Sequence, residues 1–313
     1  ITASGLVTFP KTDNPLPMMS FQHGTMVSHA EAPTKDVNTY GFLSTVASTG
    51  YIFLIPDLIG FGSSKDKLHP YYVEELTASA VIDMLQAAKE LAVEKGYTFD
   101  GQLFLSGYSE GGYATMATHK ALEENPISGF ELIASAPSSG GYNLKSMQEY
   151  FFGLETYHNP FYLGYVAMAF QAQGVTDIVP LIFQEPYTSK MPQLFDGSLT
   201  GAQINVQLTD VVADLIQDDF LTNVDQSPTY AEIRANFTKN SVDDWVPQKR
   251  MLMYHGNADI TVPYHTSVEV YDKMLAAGTS NAVLTFTTLE GKTHATGFIP
   301  YLAEMVKDFD KLK

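Results

Sequence analysis

Seven short apolar runs alternate with longer stretches of helical period, and this alternation constrains the chain more than any other feature. It calls for strand-helix-strand units building a mostly parallel sheet. The runs are Ser4 to Phe9, Met18 to His23, Tyr51 to Pro56, Gln102 to Ser106, Glu131 to Ala136, Arg250 to His255 and Val283 to Thr288. Helices are expected over Val37 to Thr49, Tyr72 to Lys95, Gly111 to Glu124, Tyr264 to Ala277 and Thr296 to Leu312. In the second of these, Val81, Met84, Leu85, Ala88 and Ala92 fall on one face of a 3.6-residue period. The alternation stops between about Lys145 and Gln248, where helical patterns continue without a convincing strand. The expected organisation is therefore an α/β core from residues 1–144 and 249–313, with a helical cap inserted over 145–248 and no repeat or flexible linker separating the two.

Composition narrows the function. Eighteen Lys and Arg against 35 Asp and Glu give a net charge of −17, the wrong sign for binding a phosphate backbone, so no nucleic-acid partner is expected. The absence of cysteine removes disulfides, thiolate metal sites and thiol nucleophiles. The most apolar stretch, Phe161 to Phe170, is well short of the roughly 20 residues that span a bilayer. The chain starts at Ile1 with neither a charged nor an apolar leader segment. That start reads as processed, which makes export (secreted, periplasmic or surface-anchored) an expectation.

Gly107-Tyr108-Ser109-Glu110-Gly111 spells G-x-S-x-G between the apolar run ending at Ser106 and a helical stretch. That order suits a nucleophilic serine, held at a tight strand-to-helix turn with a helix N-terminus behind it. Such a hydroxyl needs a base and an orienting carboxylate, expected later in the chain in the order Asp or Glu, then His. Asp259 lies in the turn after the strand ending at His255, and His294 lies just past the strand ending at Thr288. Both therefore fall at the carboxyl end of the sheet, where such sites collect. Of the eight histidines, His23, His29, His69, His119, His158 and His255 precede Asp259, and His265 follows it by six residues within the next helix. Asp57, which also follows a strand, remains an alternative carboxylate. An oxyanion hole needs two donors. The backbone N–H of Glu110 is one candidate, and the backbone N–H of Thr25, in the loop His23-Gly24-Thr25, is the other.

These residues, with Pro56-Asp57-Leu58-Ile59-Gly60-Phe61-Gly62-Ser63-Ser64 and His255-Gly256-Asn257-Ala258-Asp259, give the chain a resemblance to the α/β-hydrolase superfamily. It covers the core from about residue 17 to the C-terminus and leaves out the cap. Within the superfamily the chain is similar to extracellular bacterial and fungal lipases and esterases with a helical cap after the sixth strand. Its His-Gly-Thr loop departs from the His-Gly-Gly-Gly of enzymes like hormone-sensitive lipase. The resemblance implies an eight-stranded sheet, of which seven strands are counted here, and a two-step acyl transfer. In that reaction Ser109 attacks an ester carbonyl, His294 moves the proton and Asp259 fixes the imidazole.

The implied substrate is a small-molecule or lipid ester, with transient contact to a lipid surface and with no cofactor or metal called for. Tyr150 to Phe170 holds eight aromatics and no Lys or Arg. Most of these are expected to form the core of the cap, with Phe151, Phe152, Tyr157 and Phe161, together with Tyr108, as candidate substrate-binding residues. The Glu110 side chain is expected to turn toward its helix or solvent. Asp210, Asp214, Asp218, Asp219, Asp243 and Asp244 read as a solvated acidic face. A serine peptidase or amidase on the same fold is the alternative, though no Lys or Arg occurs from Ser146 to Ser189 to anchor a peptide terminus. A catalytically silent binding protein is a third reading, disfavoured by the complete triad.

Overall fold

The computed structural model describes residues 1–313. Its sheet has seven strands: β1 (Gly5–Thr8), β2 (Leu16–Gln22), β3 (Ile52–Pro56), β4 (Phe99–Tyr108), β5 (Glu131–Ser138), β6 (Arg250–Gly256) and β7 (Leu284–Leu289). They lie in the order β1-β3-β2-β4-β5-β6-β7. Only the edge strand β1 runs antiparallel to its neighbour, and every other pairing is parallel. The inner strands are continuous apolar runs because helices cover both faces of a parallel sheet. Every residue of β2 and of β3 is buried.

Side chains alternate across the sheet. In β4, Leu103 and Leu105 enter one core with Leu85, Ala88 and Ala92, three residues of α2 (Glu74–Glu94). Phe104 points to the opposite face, where it packs with Tyr301, Met305 and Phe309 of α13 (His294–Asp310). Helix α1 (Val37–Ser44) joins α13 on that second face through Leu43. Helices α3 (Glu110–Glu124) and α12 (Tyr264–Ala276) bury Met116, Val270 and Met274 against β6 residues Met251 and Met253.

Between β5 and β6 the chain forms eight short helices: α4 (Leu144–Phe152), α5 (Phe161–Ala172), α6 (Ile178–Ile182), α7 (Tyr187–Leu194), α8 (Gly201–Asn205), α9 (Val212–Leu215), α10 (Asp218–Asn223) and α11 (Ala231–Asn240). Their apolar core is continuous with that of the sheet, since Phe170, Phe183 and Phe220 belong to one cluster with Tyr113, Met116 and Met251. Buried Asn240 fastens the far end of this insertion. Its Oδ1 accepts the Glu74 N–H at 3.1 Å, and its carbonyl accepts the Tyr113 hydroxyl at 2.7 Å. The acidic residues of this region are not all solvated. Asp243 is buried, with Asn143 and Lys273 donating to its carboxylate at 2.8 and 3.0 Å. No helix is long and apolar enough to cross a membrane.

Candidate active site

Ser109 sits between β4 and α3 at φ 62°, ψ −125°, a backbone conformation that L-residues occupy at a cost of order 1–3 kcal/mol. The turn closes because its glycines are bare. A Cβ on Gly107 would fall on the Gly111 carbonyl, and one on Gly111 would fall on the Gln22 carbonyl. Two anchors hold the strained segment. The Ser109 N–H donates to the Ser138 carbonyl at 2.9 Å, and the Gly107 N–H donates to the Tyr301 hydroxyl at 2.9 Å.

Asp259 follows β6, and its two carboxylate oxygens have separate tasks. Oδ1 accepts the backbone N–H groups of Thr261 and Val262 at 2.9 and 3.0 Å. Oδ2 lies 2.7 Å from His294 Nδ1 and 3.1 Å from His255 Nε2. His294 opens α13, where Thr293 and Thr296 form a capping box that fixes the first turn. Its Nε2 is 2.9 Å from Ser109 Oγ. Because Nδ1 faces a carboxylate it carries the hydrogen, which leaves the Nε2 lone pair for the serine proton. Burial pushes the Asp259 carboxyl upward, but hydrogen bonds and charge from His255 and His294 overcome this and hold it at about 2. The side chain of Asp259 is fully buried, whereas that of His294 is 18% exposed, so the relay starts in a dry interior and ends where a substrate can reach it.

The loop His23-Gly24-Thr25 lies against the serine, since a Cβ on Gly24 would stand 3.5 Å from Ser109 Cβ. His23 braces that loop through ring contacts to the carbonyls of Gly24 and Asp57 at 2.8 and 3.2 Å. The backbone N–H groups of Thr25 and Glu110 donate to no protein atom, so both are available to an incoming oxygen. Asp57, the alternative carboxylate, is committed elsewhere. It accepts from the Ser4 hydroxyl and from the N–H and hydroxyl of Thr34 at 2.5, 2.9 and 2.6 Å.

Two spaces meet at Ser109. One is an apolar cavity under the insertion, lined by nineteen residues of which sixteen are hydrophobic, among them Tyr71, Tyr72, Phe151, Tyr157, Phe183 and Phe237. The other is an open cleft bordered by Thr25, Glu31, Asp36, Tyr108 and His294. Ser109 and Tyr162 border both.

Two expectations from the sequence require correction, those for Phe161 and for the Glu110 side chain. Phe161 does not reach the cavity: its ring packs 4.0 Å from the Tyr162 ring and against Gly201, inside the core of the insertion. Tyr108, a substrate-binding candidate, is turned by the strand alternation toward α13, where its hydroxyl donates to the His294 carbonyl at 2.7 Å. It borders the cleft. The Glu110 side chain is turned neither along its helix nor to solvent. It is buried, with Oε1 2.6 Å from His69 Nε2 and Oε2 without a partner. Phe151, Phe152 and Tyr157 do line the cavity. Sequence reading missed Tyr71, Tyr72 and Tyr162 as lining residues, and it missed His255 as a second donor to Asp259. The tyrosines carry no motif. His255 could have been noticed from its spacing of four residues before Asp259.

The model of the prolyl oligopeptidase family matches residues 39–126. A search of curated proteins found no match. Among solved structures, the chain is similar to a Legionella pneumophila protein provisionally assigned as a hydrolase, at 28% identity and a TM-score of 0.89 over 99% of this chain and 83% of that one. It is also similar to LipA of Xanthomonas oryzae, described as a rice cell wall degrading esterase. There the identity is 24% and the TM-score 0.86 over 99% of this chain and 86% of that one. Candida antarctica lipase A in its closed state gives 16% identity and a TM-score of 0.70 over 98% and 74%. A seven-stranded sheet in this order, helices on both faces and these likenesses give the chain the α/β-hydrolase fold.

Proposed function

We propose that the chain hydrolyses carboxylic esters through an acyl-enzyme formed on Ser109. The observation that carries this reading is the continuous contact from Asp259 Oδ2 to His294 Nδ1 at 2.7 Å and from His294 Nε2 to Ser109 Oγ at 2.9 Å. It ends where an apolar cavity meets an open cleft. Ser109 Oγ attacks the ester carbonyl as His294 Nε2 takes its proton, and Asp259 stabilises the imidazolium that forms. The carbonyl oxygen gains negative charge facing the free N–H groups of Glu110 and Thr25, at the positive end of α3. Collapse expels the alcohol, which receives the proton from His294. Water then repeats the sequence on the acyl-enzyme and releases the acid.

The acyl chain fits the apolar cavity under the insertion, which on this reading is a cap, and the alcohol fits the more polar cleft. The names of the esterase and lipase neighbours support the same substrate class. The match to a peptidase family model favours a second reading, cleavage of an amide or peptide. Against it, the apolar cavity contains no Asp, Glu, Lys or Arg to anchor a peptide terminus. In the cleft, Glu31 is already occupied by the N–H groups of Val27 and Ser28.

The test is hydrolysis of p-nitrophenyl esters of increasing acyl length beside aminoacyl anilides, for the wild type and Ser109→Ala. Ester cleavage that disappears in the variant is expected. Turnover of the anilides alone would transfer the site to the peptidase reading, and wild-type rates in Ser109→Ala would remove Ser109 from the chemistry.

A further inference from the structure

Both candidate oxyanion donors belong to residues whose side chains reach the same three-residue segment. Glu110 Oε1 contacts His69 Nε2 at 2.6 Å, and Thr25 Oγ1 contacts the Tyr71 hydroxyl at 2.9 Å. The Tyr71 N–H closes this segment by donating to the His69 carbonyl at 2.8 Å. We propose that His69-Pro70-Tyr71 is a clasp that sets the positions of the two oxyanion donors, with His69 and Tyr71 as positioning residues. This rests on the serine-hydrolase reading above.

The segment is built to hold still. His69 Nδ1 is 2.7 Å from the Ile59 carbonyl and therefore carries a hydrogen. Its Nε2 faces a carboxyl oxygen, and at 2.6 Å a proton must lie between them, since two lone pairs would repel. The other oxygen of Glu110 has no partner, so His69 is the protein group that hydrogen-bonds this side chain. Gly60, at φ +96°, lets the chain fold back onto His69, because a Cβ there would come within 2.5 Å of His69 Cα. The Tyr71 ring stacks on Tyr165 of α5, with centroids 4.6 Å apart and planes at 16°. Burial raises the Tyr71 phenol well above its usual range, so it keeps its hydrogen. Surface residues would not need this arrangement. Its effect is to join two loops that are distant in sequence, on either side of one small space beside Ser109.

A donor helps only if it points at the oxygen as charge develops, and losing one such donor outright lowers kcat by about 10²–10³. A donor that is loosened but still present is expected to cost less. Tyr71→Phe removes one oxygen and keeps the ring that lines the acyl cavity. It should lower kcat for a p-nitrophenyl ester about tenfold with KM within about threefold. His69→Leu, which releases Glu110, should lower kcat about 30-fold. His69→Gln, whose amide can donate to Glu110 Oε1, should recover most of that loss.

The readout that a merely structural role would not move is the Ki of a trifluoromethyl ketone, whose tetrahedral serine adduct uses the oxyanion hole. Its Ki should rise in proportion to the fall in kcat/KM across the three variants. Labelling of Ser109 by a fluorophosphonate in the wild type checks the underlying reading separately. Without labelling, the serine-hydrolase reading falls and the clasp with it. With labelling, Tyr71→Phe at wild-type kcat and Ki would overturn the clasp and leave the hydrolase reading intact. A rise in KM alone would also overturn it, by reducing Tyr71 to a wall residue. If His69→Leu does not fold, Tyr71→Phe decides by the same criteria.

Discussion

Asp259 Oδ2 is shared by two imidazoles, and removing the one that does not touch Ser109 tests how the site is held. His255 is completely buried, with Nε2 3.1 Å from Asp259 and 3.0 Å from the Val262 carbonyl and Nδ1 2.7 Å from the Ser267 hydroxyl. In His255→Phe the volume is nearly kept while a hydrogen bond to a carboxylate is lost, worth about 1.5–3 kcal/mol. A buried carbonyl also loses a partner, so the expected destabilisation at pH 7 is about 3–5 kcal/mol. Part of this is electrostatic and depends on pH. Asp259 is held at about 2 against a reference of 3.8 by His255 and His294 together, which at ~1.4 kcal/mol per pKa unit is roughly 2.5 kcal/mol, of which His255 supplies a share. A carboxylate whose pKa is depressed by folding stabilises the fold fully above its unfolded value and loses that contribution as pH falls through its folded value. The gap between wild type and His255→Phe should therefore be flat from pH 7 to about pH 5 and narrow from about pH 4 toward pH 2. Urea unfolding at pH 7, 5, 4 and 3 reads it directly. At pH 7, kcat for an ester should also fall about tenfold, because an imidazole held by a less fixed carboxylate presents Nε2 less often in the attacking geometry. A stability gap that stays constant down to pH 3 would show that the loss is packing, and the shared-carboxylate argument would be wrong.

Three further perturbations address the turn and the cavity. Ser109→Gly should abolish ester turnover yet stabilise the protein by about 1 kcal/mol relative to Ser109→Ala, because glycine occupies φ 62°, ψ −125° without strain; equal denaturation midpoints would argue against a strained nucleophile. Tyr301→Phe leaves the Gly107 N–H and the Ala136 carbonyl, now 2.9 and 2.7 Å from the phenol, without their shared partner in a dry core. It should cost about 2–4 kcal/mol in urea unfolding, and a loss below about 0.5 kcal/mol would mean that the backbone finds other partners. Phe183→Ala enlarges the cavity at a fully buried wall. It should shift the p-nitrophenyl ester preference toward longer acyl chains at a stability cost of about 3–5 kcal/mol, while an unchanged length profile would place the acyl group elsewhere.

What the sequence discloses about this protein follows the range of the forces involved. The inner strands β2 and β3 are legible because a strand buried on both faces must be a continuous apolar run, while the edge strands β1 and β7 are only partly buried and are short runs marked off by turns. The expected strand over Gln102 to Ser106 is shorter at both ends than the observed Phe99–Tyr108. In the structure Asp100 accepts the Gln102 N–H at 2.8 Å and β4 continues through from Phe99. The insertion yields helical patterns but no separate helices, since several of its elements are only four to six residues long and depend on tertiary packing more than on local period.

The site divides in the same way. Ser109, Asp259 and His294 each stand immediately beyond a strand, so the fold that aligns the strand ends also gathers these three, and each is visible from its own neighbourhood. The residues that hold them are not. His69 meets Glu110 across 41 positions and Tyr71 meets Thr25 across 46, and no spacing within either segment encodes that meeting. Chemistry needs a particular residue type at a particular turn, which leaves a local pattern. Support needs only a donor or acceptor of suitable length arriving from anywhere in the fold. The side chain of Glu110 shows the difference: its backbone position follows from the motif, but its direction depends on a loop that sequence periodicity does not relate to it. Groups of this second kind are where a structure adds most to a sequence, and here they lie within one residue's reach of both candidate oxyanion donors.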